Sequence, residues 1–422
     1  MTRELIQRQK YLDEALMFRD SDIVKVITGI RRCGKTSLLE LVRNQLDSEN
    51  VKGRAFISIN LEDKRFDIKT EDDLYTYIEQ RLSKTGKTYI FIDEVQRIEG
   101  WHDVVNSMRV AFDCDIYVTG SNAFLLSSDI ATYLSGRYVE IEMQPLTFSE
   151  YLFFCGMSFA SGSTGTVAPD GSILTFDDLF RRYLDYGGMP ALASFATNQK
   201  SHSLYMKSLY DTVIVRDIMN RERPASARRI TDPDLLRSIC AYFADNVGSM
   251  TSTTKIADTL TSAGRKTHHD TVRSYVKALE DAYIFYPVTR YDIRGKEILK
   301  TLPKYYAVDT GLRNYLSGYR SADTGFVFEN TVYLQLLFEG WSVHVGKLYQ
   351  KEVDFVAIKD GRTRYIQVTD ELYSEKTRKR ELEPLLAIPD AHEKMIVVRQ
   401  GDYQSDIEGV RIIKARNFFL KE

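Results

Sequence analysis

The chain has 422 residues and a formal net charge of −2 at pH 7, with 43% hydrophobic and 27% charged residues. Its length is sufficient for about two to four domains, each with its own hydrophobic core. Because the net charge is close to zero, any binding of nucleic acid must depend on a local basic surface. The sequence contains no apolar run of about 18 residues and no signal-peptide core, which predicts a cytoplasmic protein that does not enter a membrane.

A glycine-rich turn follows the first predicted strand. Residues 1–20 have the pattern of an amphipathic helix, residues 23–28 are rich in β-branched side chains, and residues 37–42 begin a second helical pattern. Between this strand and the second helix, residues 29–36 contain the motif G-x-x-x-x-G-K-T. In this context the motif is typical of a loop that binds nucleotide phosphates through backbone N–H groups. It predicts a bound nucleotide.

The residues of this loop differ in their expected roles. Gly29 and Gly34 permit the backbone conformation and the close approach that phosphate binding requires. Lys35 places a positive charge near the β- and γ-phosphates, and the Thr36 hydroxyl is a ligand of Mg²⁺. The positive end of the following helix dipole also points at the phosphates. The expected nucleotide-binding residues are Gly29, Arg32, Cys33, Gly34, Lys35, Thr36 and Ser37.

The third predicted strand ends in two acidic residues. Residues 55–60 form the second strand, and residues 89–94 form a continuous apolar run that closes with Asp93 and Glu94. Such a run indicates a central parallel strand, and parallel sheets bind ligands beyond the carboxyl ends of their strands. We expect Asp93 to hold Mg²⁺ through water and Glu94 to polarise the water that attacks ATP. The alternative is a strand that ends in two exposed acids without a catalytic role.

Two further strands complete the predicted sheet. Residues 115–119 form the fourth strand, followed by Ser121 and Asn122, small polar side chains suited to contact the γ-phosphate or the attacking water. Residues 134–142 contain the fifth strand, with Arg137 before its apolar part. The sequence therefore predicts polar groups after the fourth strand and an arginine before the fifth.

Together the motifs resemble those of AAA-superfamily ATPases, specifically predicted prokaryotic ATPases that carry a C-terminal domain of unknown function. The resemblance rests on G-I-R-R-C-G-K-T at 29–36, F-I-D-E-V-Q at 91–96, T-G-S-N at 119–122, S-G-R-Y at 135–138 and Q-P-L-T-F-S-E-Y at 144–151. It implies a P-loop α/β fold with a parallel sheet, and hydrolysis of ATP with Mg²⁺. It also implies that Asn60, at the end of the second strand, restrains the catalytic glutamate.

The resemblance implies further catalytic roles after the fourth strand. Ser121 or Asn122 is similar to the polar sensor of these ATPases. Arg137 resembles the arginine that contacts the γ-phosphate, either in its own chain or in a neighbouring subunit of a homo-oligomer. The alternative for Arg137 is a salt bridge to Glu140 or Glu142.

The segment after the sheet is predicted to form a flexible loop and a helical lid. Residues 155–175 are rich in Gly, Ser and Thr, which is typical of a surface loop. Helical periodicity returns at residue 176, and the resemblance implies that these helices cover the nucleotide. We assign residues 1–150 to the ATPase core and residues 151–225 to the loop and lid.

Residues 226–305 contain three predicted helices and a β-hairpin, which is the element order of a winged helix. The third helix, at residues 267–281, and the hairpin carry the one concentrated basic surface of the sequence. We expect this surface to contact duplex DNA, and the alternative is a winged helix that only docks protein partners. The expected DNA-binding residues are Lys266, His268, His269, Arg273, Arg294 and Lys296.

Residues 306–422 resemble a restriction-endonuclease-like α/β domain, in which Glu329 and Asp354 match the metal-binding acids. Metal-dependent cleavage of DNA needs two carboxylates and a lysine that activates water. At the place of the expected acid-x-lysine motif the chain has Gln367 and Thr369, which carry neither of the required charges. We therefore expect a catalytically degenerate domain that serves as a binding or assembly surface.

These modules predict an ATP-hydrolysing switch or motor that engages DNA through the winged helix. Two alternatives remain open. One is an ATPase that regulates protein partners without touching DNA, and the other is an ATP-gated nuclease.

Overall fold

The computed structural model describes residues 5–120, 134, 136–160, 163–193, 198–211, 218–219, 229–319 and 324–421. The chain divides into two compact units. The first comprises residues 1–144 and 281–283, and the second comprises residues 145–280 and 284–422. The short segment 281–283 thus belongs to the first unit, although the residues on both sides of it belong to the second.

The first unit is built around a parallel sheet whose strands are β1 (Val24–Thr28), β2 (Ala55–Asn60), β3 (Thr88–Asp93), β4 (Cys114–Thr119) and β5 (Tyr138–Glu142). Their order is β2-β3-β4-β1-β5, with every neighbouring pair parallel. Strands β1, β3 and β4 are buried along their whole length, as expected for central strands covered on both faces. The predicted parallel α/β fold is confirmed, and all carboxyl ends of the strands lie at one edge.

The helices of the first unit are α1 (Gln9–Met17), α2 (Lys35–Ser48), α3 (Glu71–Glu79) and α4 (Trp101–Ala111). Helix α2 buries Leu38, Leu39, Val42 and Leu46, a spacing that places them on one face. Helix α3 begins with a capping box in which the Thr70 hydroxyl accepts from the backbone N–H of Asp73. The apolar face of α2 fixes the helix beside the sheet, so its first turn stays near the edge where the strands end.

The remaining helices are α5 (Phe148–Phe154), α6 (Phe176–Tyr186), α7 (Pro190–Ala193), α8 (Gln199–Leu209), α9 (Pro233–Asp245), α10 (Thr253–Ser262), α11 (His269–Asp281), α12 (Thr310–Ser317), α13 (Thr324–Phe338), α14 (Glu375–Leu386) and α15 (Ala415–Leu420). Helices α9, α10 and α11 lie where three helices of a winged helix were expected. Ser252 caps α10 by accepting from the backbone N–H of Lys255 at 3.0 Å. Over the described ranges, no helix is both long and apolar enough to cross a bilayer.

The structure differs from the loop predicted at residues 155–175. Strands β6 (Gly165–Val167) and β7 (Ile173–Thr175) form a short antiparallel hairpin there. The backbone N–H of Gly171 donates to the carbonyl of Ala168 at 2.9 Å and closes the turn. The loop prediction relied on Gly, Ser and Thr content and gave too little weight to the β-prone side chains on either side of this turn.

The second unit contains a mixed sheet of β8 (Phe285–Asp292), β9 (Glu297–Ala307), β10 (Ser342–Leu348), β11 (Lys351–Lys359), β12 (Arg362–Thr369), β13 (Glu393–Val398), β14 (Asp406–Ile407) and β15 (Val410–Lys414). The order is β14-β15-β13-β12-β11-β10-β8-β9. Strands β8 and β10 pair in parallel, with Arg290 opposite Val345. The hairpin expected as a wing therefore continues the sheet expected in the C-terminal domain, and the predicted boundary at residue 305 lies within one sheet.

Candidate nucleotide-binding site

The glycine-rich motif forms a tight turn between β1 and α2. Gly29 has a φ of 127° and Gly34 a φ of 110°, and Arg32 between them is also left-handed at 67°. A Cβ built on Gly29 would lie 2.1 Å from the carbonyl oxygen of Met143, so no residue with a side chain fits there. Gly34 directly precedes α2. The loop thus curls around the N-terminus of a helix, an arrangement that directs backbone N–H groups at an anion.

Lys35 is buried within this turn. Only 4% of the residue is exposed, and its Nζ donates to the carbonyl oxygens of Gly29 at 2.8 Å and Ile30 at 3.1 Å. The ammonium group therefore lies inside the curve of the loop, where a phosphate would be bound. Arg32 and Thr36 are exposed and Ser37 is half-buried in the first turn of α2.

The outer side of the loop is held by Arg8, a residue that sequence reasoning missed. Its guanidinium donates to the carbonyl oxygens of Cys33 at 3.2 Å and Gln144 at 2.7 Å and lies 4.6 Å from the centroid of the Tyr11 ring. The side chain of Cys33 is completely buried, so this residue offers a ligand only its backbone. A buried arginine that binds two carbonyls fixes the shape of the loop before any ligand arrives.

Asp93 is the centre of a hydrogen-bond network at the carboxyl edge of the sheet. Its Oδ2 accepts from Thr36 Oγ1 at 2.8 Å and from Asn60 Nδ2 at 3.0 Å. Its Oδ1 accepts from Thr119 Oγ1 at 2.5 Å. The strand order explains these contacts, because β3 lies between β2 and β4 and each neighbour ends in one of the donors. The structure therefore brings the two expected Mg²⁺-binding residues, Thr36 and Asp93, into direct contact.

Glu94 follows Asp93 in a left-handed conformation, with a φ of 55°. Its backbone N–H donates to Thr119 Oγ1 at 3.1 Å, and its carboxylate accepts from the side chain of Gln96. Asn60 was expected to restrain Glu94, but its amide instead donates to Asp93. Thr119 therefore binds the Asp93 carboxylate and the backbone of Glu94. In the sequence, Thr119 is recognisable only as the last residue of a predicted strand. Its contact with Asp93 could be inferred only once the order of the strands was known.

Of the two catalytic residues expected after β4, only Arg137 can be placed. Asn122, like Ser121, lies outside the described residues. Arg137 is exposed, and its carbonyl accepts from the backbone N–H of Val24 at 2.9 Å, beside the start of β1. Within the described part of the chain Arg137 makes no ion pair. Glu140 instead accepts from Thr28 Oγ1 at 2.6 Å, so the salt bridge considered as the alternative is not formed with this residue.

Comparison with known proteins agrees with this geometry. A protein of Haemophilus influenzae strain Rd, described as uncharacterized, is 36% identical to this chain over 423 residues, which cover both chains completely. Residues 21–152 match the family model of an AAA domain. The chain belongs to this family of AAA-domain proteins. The resemblance inferred from the motifs is thereby confirmed.

Three further similarities extend beyond the AAA domain. An uncharacterized protein of Methanocaldococcus jannaschii is 29% identical over 364 residues, which are 85% of this chain and 77% of the relative. The solved structure of a Walker-type ATPase of Pyrococcus abyssi is 13% identical, with a TM-score of 0.48, and covers 75% of this chain and 99% of its own. Residues 177–323 match the model of a domain of unknown function, DUF8612.

In this AAA-domain protein the expected DNA-binding side chains surround the N-terminus of α11 and the turn of the β8–β9 hairpin. Five of them are exposed, and His269 is half-buried. Asp270 lies among them, with carboxylate oxygens 3.5 Å from His268 Nδ1, 3.2 Å from His269 Nδ1 and 3.4 Å from the guanidinium of Arg273. The charged side chains at the N-terminus of α11 are therefore mostly basic, but one carboxylate offsets part of their charge.

The acids of the predicted nuclease outline line a polar cavity of about 430 Å³ in the second unit of this AAA-domain protein. Asp354 accepts from the backbone N–H of Val368 at 2.8 Å. Gln367 accepts from the Asp354 backbone N–H at 2.7 Å and donates to Glu381 Oε2 at 3.0 Å. The Thr369 hydroxyl donates to a backbone carbonyl at 3.2 Å. Gln367 and Thr369 are thus engaged in holding the fold.

Lys304, on β9, supplies a positive charge to this cavity region that sequence reasoning missed. Its Nζ lies 2.7 Å from Glu352 Oε1 and 3.7 Å from Glu329 Oε1, and the residue is 5% exposed. Burial raises the pKa of Asp354 well above its ordinary value and also raises the pKa of Glu329. Burial opposes the charge of Lys304, but the carboxylates of Glu329, Glu352 and Asp354 raise its pKa. The positive charge of Lys304 and the negative charges of these carboxylates therefore stabilise one another within the cluster.

Proposed function

We propose that this protein binds ATP together with Mg²⁺ and hydrolyses it. The observation that carries the proposal is the 2.8 Å hydrogen bond from Thr36 Oγ1 to Asp93 Oδ2, which joins the first turn of α2 to the end of β3. Lys35 precedes Thr36 in the same turn. A phosphate-binding loop, its lysine and a carboxylate thus meet at the sheet edge where parallel sheets bind ligands.

The donor atoms at this point suit Mg²⁺. This ion prefers oxygen ligands and is usually bound through one or two carboxylates together with water and substrate phosphates. Thr36 and Asp93 offer a hydroxyl and a carboxylate, and the donors Asn60 and Thr119 hold the carboxylate in one orientation. When bound, the ion neutralises the charge that develops on the phosphates.

Each remaining residue of the site has one task in this proposal. Lys35 exchanges a carbonyl partner for the β- and γ-phosphate oxygens of ATP. Glu94, fixed by the bond from its backbone N–H to Thr119, accepts a proton from the attacking water. Asn122 contacts the γ-phosphate or that water. Arg137 precedes β5, at the sheet edge opposite to the phosphate loop, so in this proposal it contacts the γ-phosphate across a subunit interface of a homo-oligomer.

Removal of the metal tests the proposal directly. We expect phosphate release from ATP by the full-length protein to require Mg²⁺ and to stop on addition of EDTA. Thr36→Ala is expected to raise the Mg²⁺ concentration that gives the half-maximal rate, because it deletes one oxygen ligand. Thr36→Ser keeps the hydroxyl and serves as the matched control. ATP hydrolysis that continues at the same rate after EDTA removes Mg²⁺ would contradict the assignment of this site.

The role of Arg137 is tested by Arg137→Ala. We expect ATP affinity to stay unchanged and turnover to fall by on the order of 10³-fold, because the arginine stabilises charge in the transition state. The exposed Arg65, in the same unit, provides the control substitution Arg65→Ala. Recovery of turnover when the Arg137→Ala and Glu94→Gln proteins are mixed would place the arginine across a subunit interface. Unchanged turnover of Arg137→Ala alone would remove it from the site.

We further propose that the basic surface at α11 and the β8–β9 hairpin binds duplex DNA, with ATP turnover acting as a switch or motor. Exposed lysine, arginine and histidine side chains at the N-terminus of a helix and in a hairpin turn are suited to phosphate contacts. The carboxylate of Asp270 among them favours a second candidate, in which this surface docks a protein partner. Stimulation of ATP hydrolysis by duplex DNA separates the two functions.

The salt dependence of DNA affinity measures these contacts. We expect log Kd to rise steeply with log salt concentration, and a Lys266→Ala/Arg273→Ala variant to lower the slope by about 2, close to one unit for each lost phosphate contact. Lys69→Ala, an exposed lysine in the first unit, removes a charge elsewhere and is the control. A shallow slope in the unmodified protein would contradict DNA binding through phosphates.

The cavity of the second unit is proposed as a binding or assembly surface without nuclease activity. Support comes from Gln367, whose amide is shared between Asp354 and Glu381 and has no charge with which to hold a metal. Plasmid nicking that requires Mg²⁺ and disappears in Asp354→Ala would replace this proposal with the nuclease alternative.

A further inference from the structure

Tyr283 connects the end of helix α11 with the start of the phosphate loop. It belongs to the segment 281–283 of the first unit, is 5% exposed, and donates from its hydroxyl to Glu140 Oε1 at 3.0 Å. The same carboxylate oxygen accepts from Thr28 Oγ1 at 2.6 Å. Thr28 is the last residue of β1 and directly precedes Gly29. Three side chains thus form a continuous path from the turn after α11 to the first glycine of the loop.

The backbone of Tyr283 is unusual for a bulky residue. Its φ of 54° lies in the left-handed region, which non-glycine residues rarely adopt and which persists only where the surroundings enforce it. The next backbone N–H, that of Ile284, donates to the carbonyl of Leu279 at 3.0 Å, and the Ile284 carbonyl accepts from Val308 at 3.1 Å. Ile284, the residue after Tyr283, is therefore bonded to the end of α11 on one side and to Val308, directly after β9, on the other.

The hydrogen bond of Tyr283 is persistent because the phenol stays neutral. Burial raises the pKa of Tyr283 well above its ordinary value, and the nearby charge of Glu140 adds to this effect. A neutral phenol can donate to a carboxylate throughout the pH range in which the protein would act. Deprotonation of the phenol therefore does not break this contact.

The phosphate loop is built so that a movement of its backbone reaches Thr28 and Glu140. Lys35 Nζ lies 2.8 Å from the carbonyl oxygen of Gly29 and 3.1 Å from that of Ile30. Phosphate oxygens of a bound nucleotide compete with these two carbonyls for the N–H donors of Lys35. Gly29 packs so closely against Met143 that an added Cβ would lie 2.1 Å from the Met143 carbonyl oxygen, and the Met143 N–H donates to the Thr28 carbonyl at 2.9 Å. A shift of Gly29 is therefore passed to the ends of β1 and β5.

We propose that Tyr283 is a positioning residue through which occupancy of the phosphate loop changes the turn after α11, and with it the DNA affinity of that helix. The inference rests on the proposed function, since it takes ATP and duplex DNA as the two ligands. Coupling between two binding sites is reciprocal, so DNA changes the affinity for nucleotide by the same factor. The residue itself touches neither ligand and is not a catalytic residue.

A thermodynamic cycle with one hydroxyl removed tests the coupling. Affinities of the full-length protein for labelled duplex DNA are measured with and without the non-hydrolysable analogue AMPPCP and Mg²⁺, and affinities for AMPPCP with and without DNA. We expect a coupling factor of about 5- to 150-fold in the unmodified protein and of less than about 2-fold in Tyr283→Phe, with the affinity for each ligand alone nearly unchanged.

Tyr305→Phe is the matched control, because the Tyr305 hydroxyl donates to Glu280 Oε1 at 3.2 Å, also next to the end of α11. It deletes a tyrosine–glutamate hydrogen bond near the same turn but outside the path to Thr28, and we expect it to keep the full coupling. Full coupling in Tyr283→Phe, or equal loss in both variants, would overturn the proposal.

Hydrogen exchange separates this inference from the proposed binding of DNA. Without DNA, AMPPCP and Mg²⁺ are expected to change the exchange rates of backbone amides 279–286 in the unmodified protein but not in Tyr283→Phe. If the protein fails to bind DNA but shows this response, the DNA proposal fails and the coupling stands. If nucleotide binds and these amides do not respond, the coupling is overturned whatever the behaviour of DNA.

Discussion

A Glu94→Gln variant is expected to bind ATP with unchanged affinity and to hydrolyse it at least about 100-fold more slowly, as is typical when a general base is removed. The amide keeps the size of the side chain but cannot accept a proton from the attacking water. The backbone bond from residue 94 to Thr119 does not involve the side chain, so the variant should keep its fold. Phosphate release and binding of AMPPCP, measured on the same preparation, check both parts of the expectation.

Two further substitutions serve as controls for this experiment. Glu99→Gln makes the same chemical change on a nearby exposed residue and should hydrolyse ATP at the unmodified rate. Lys35→Ala should lose binding and hydrolysis together, because it deletes the charge inside the loop. Normal turnover of Glu94→Gln would show that another group acts as the base. Failure of Glu94→Gln to bind ATP would contradict the assignment of the site.

The local elements of this site could be predicted because they depend on neighbouring residues. Strands β1 to β4 lie within one residue of their predicted bounds, and β5 lies inside the predicted range 134–142 but begins at Tyr138, since a run of apolar β-branched residues favours a buried strand wherever its partners lie. The loop follows from Gly29, Gly34 and Lys35 alone. The parallel arrangement then implied that Asp93 and Thr36 would be found at the same edge.

The contacts between distant residues could not be predicted in this way. Periodicity contains no information on strand order, so nothing in the sequence places β4 between β1 and β3 and thereby Thr119 beside Asp93. The same limit applies to the hairpin of β8 and β9, whose pairing with β10 was not foreseen, and to Lys304, whose partners Glu329 and Glu352 belong to other elements. Arg8 and Tyr283 act through contacts more than 20 residues away in the chain and leave no local pattern.

Lys304→Met is expected to destabilise the mixed sheet by about 3–5 kcal/mol at pH 8, the usual result of removing one partner from a buried ion cluster. The variant leaves the carboxylates of Glu329 and Asp354 buried without their nearest positive charge. Exchange of the backbone amides of Tyr305, Tyr306 and Ala307 reports the local free energy of opening, and it should accelerate by roughly 10²-fold or more.

The direction of the pH effect follows from the raised pKa values. A carboxyl group whose pKa is higher in the folded protein than in the unfolded chain stabilises the fold at low pH and loses this contribution as pH rises. The pKa values of Glu329 and Asp354 are raised, so their protonation relieves the uncompensated charge in the variant. The deficit of Lys304→Met should therefore be smaller at pH 5 than at pH 8.

Lys351→Met, on β11 of the same sheet, provides the control. Lys351 lines the same cavity, but its ion pair with Glu383, at 2.7 Å, is partly exposed, and pairs of that kind contribute about 0–1 kcal/mol. Adding Glu329→Gln to Lys304→Met should restore part of the lost stability, because it removes one of the charges that Lys304 compensated. Equal effects of the two lysine substitutions, or a deficit that grows as pH falls, would show that Lys304 stabilises the sheet by packing and not by charge.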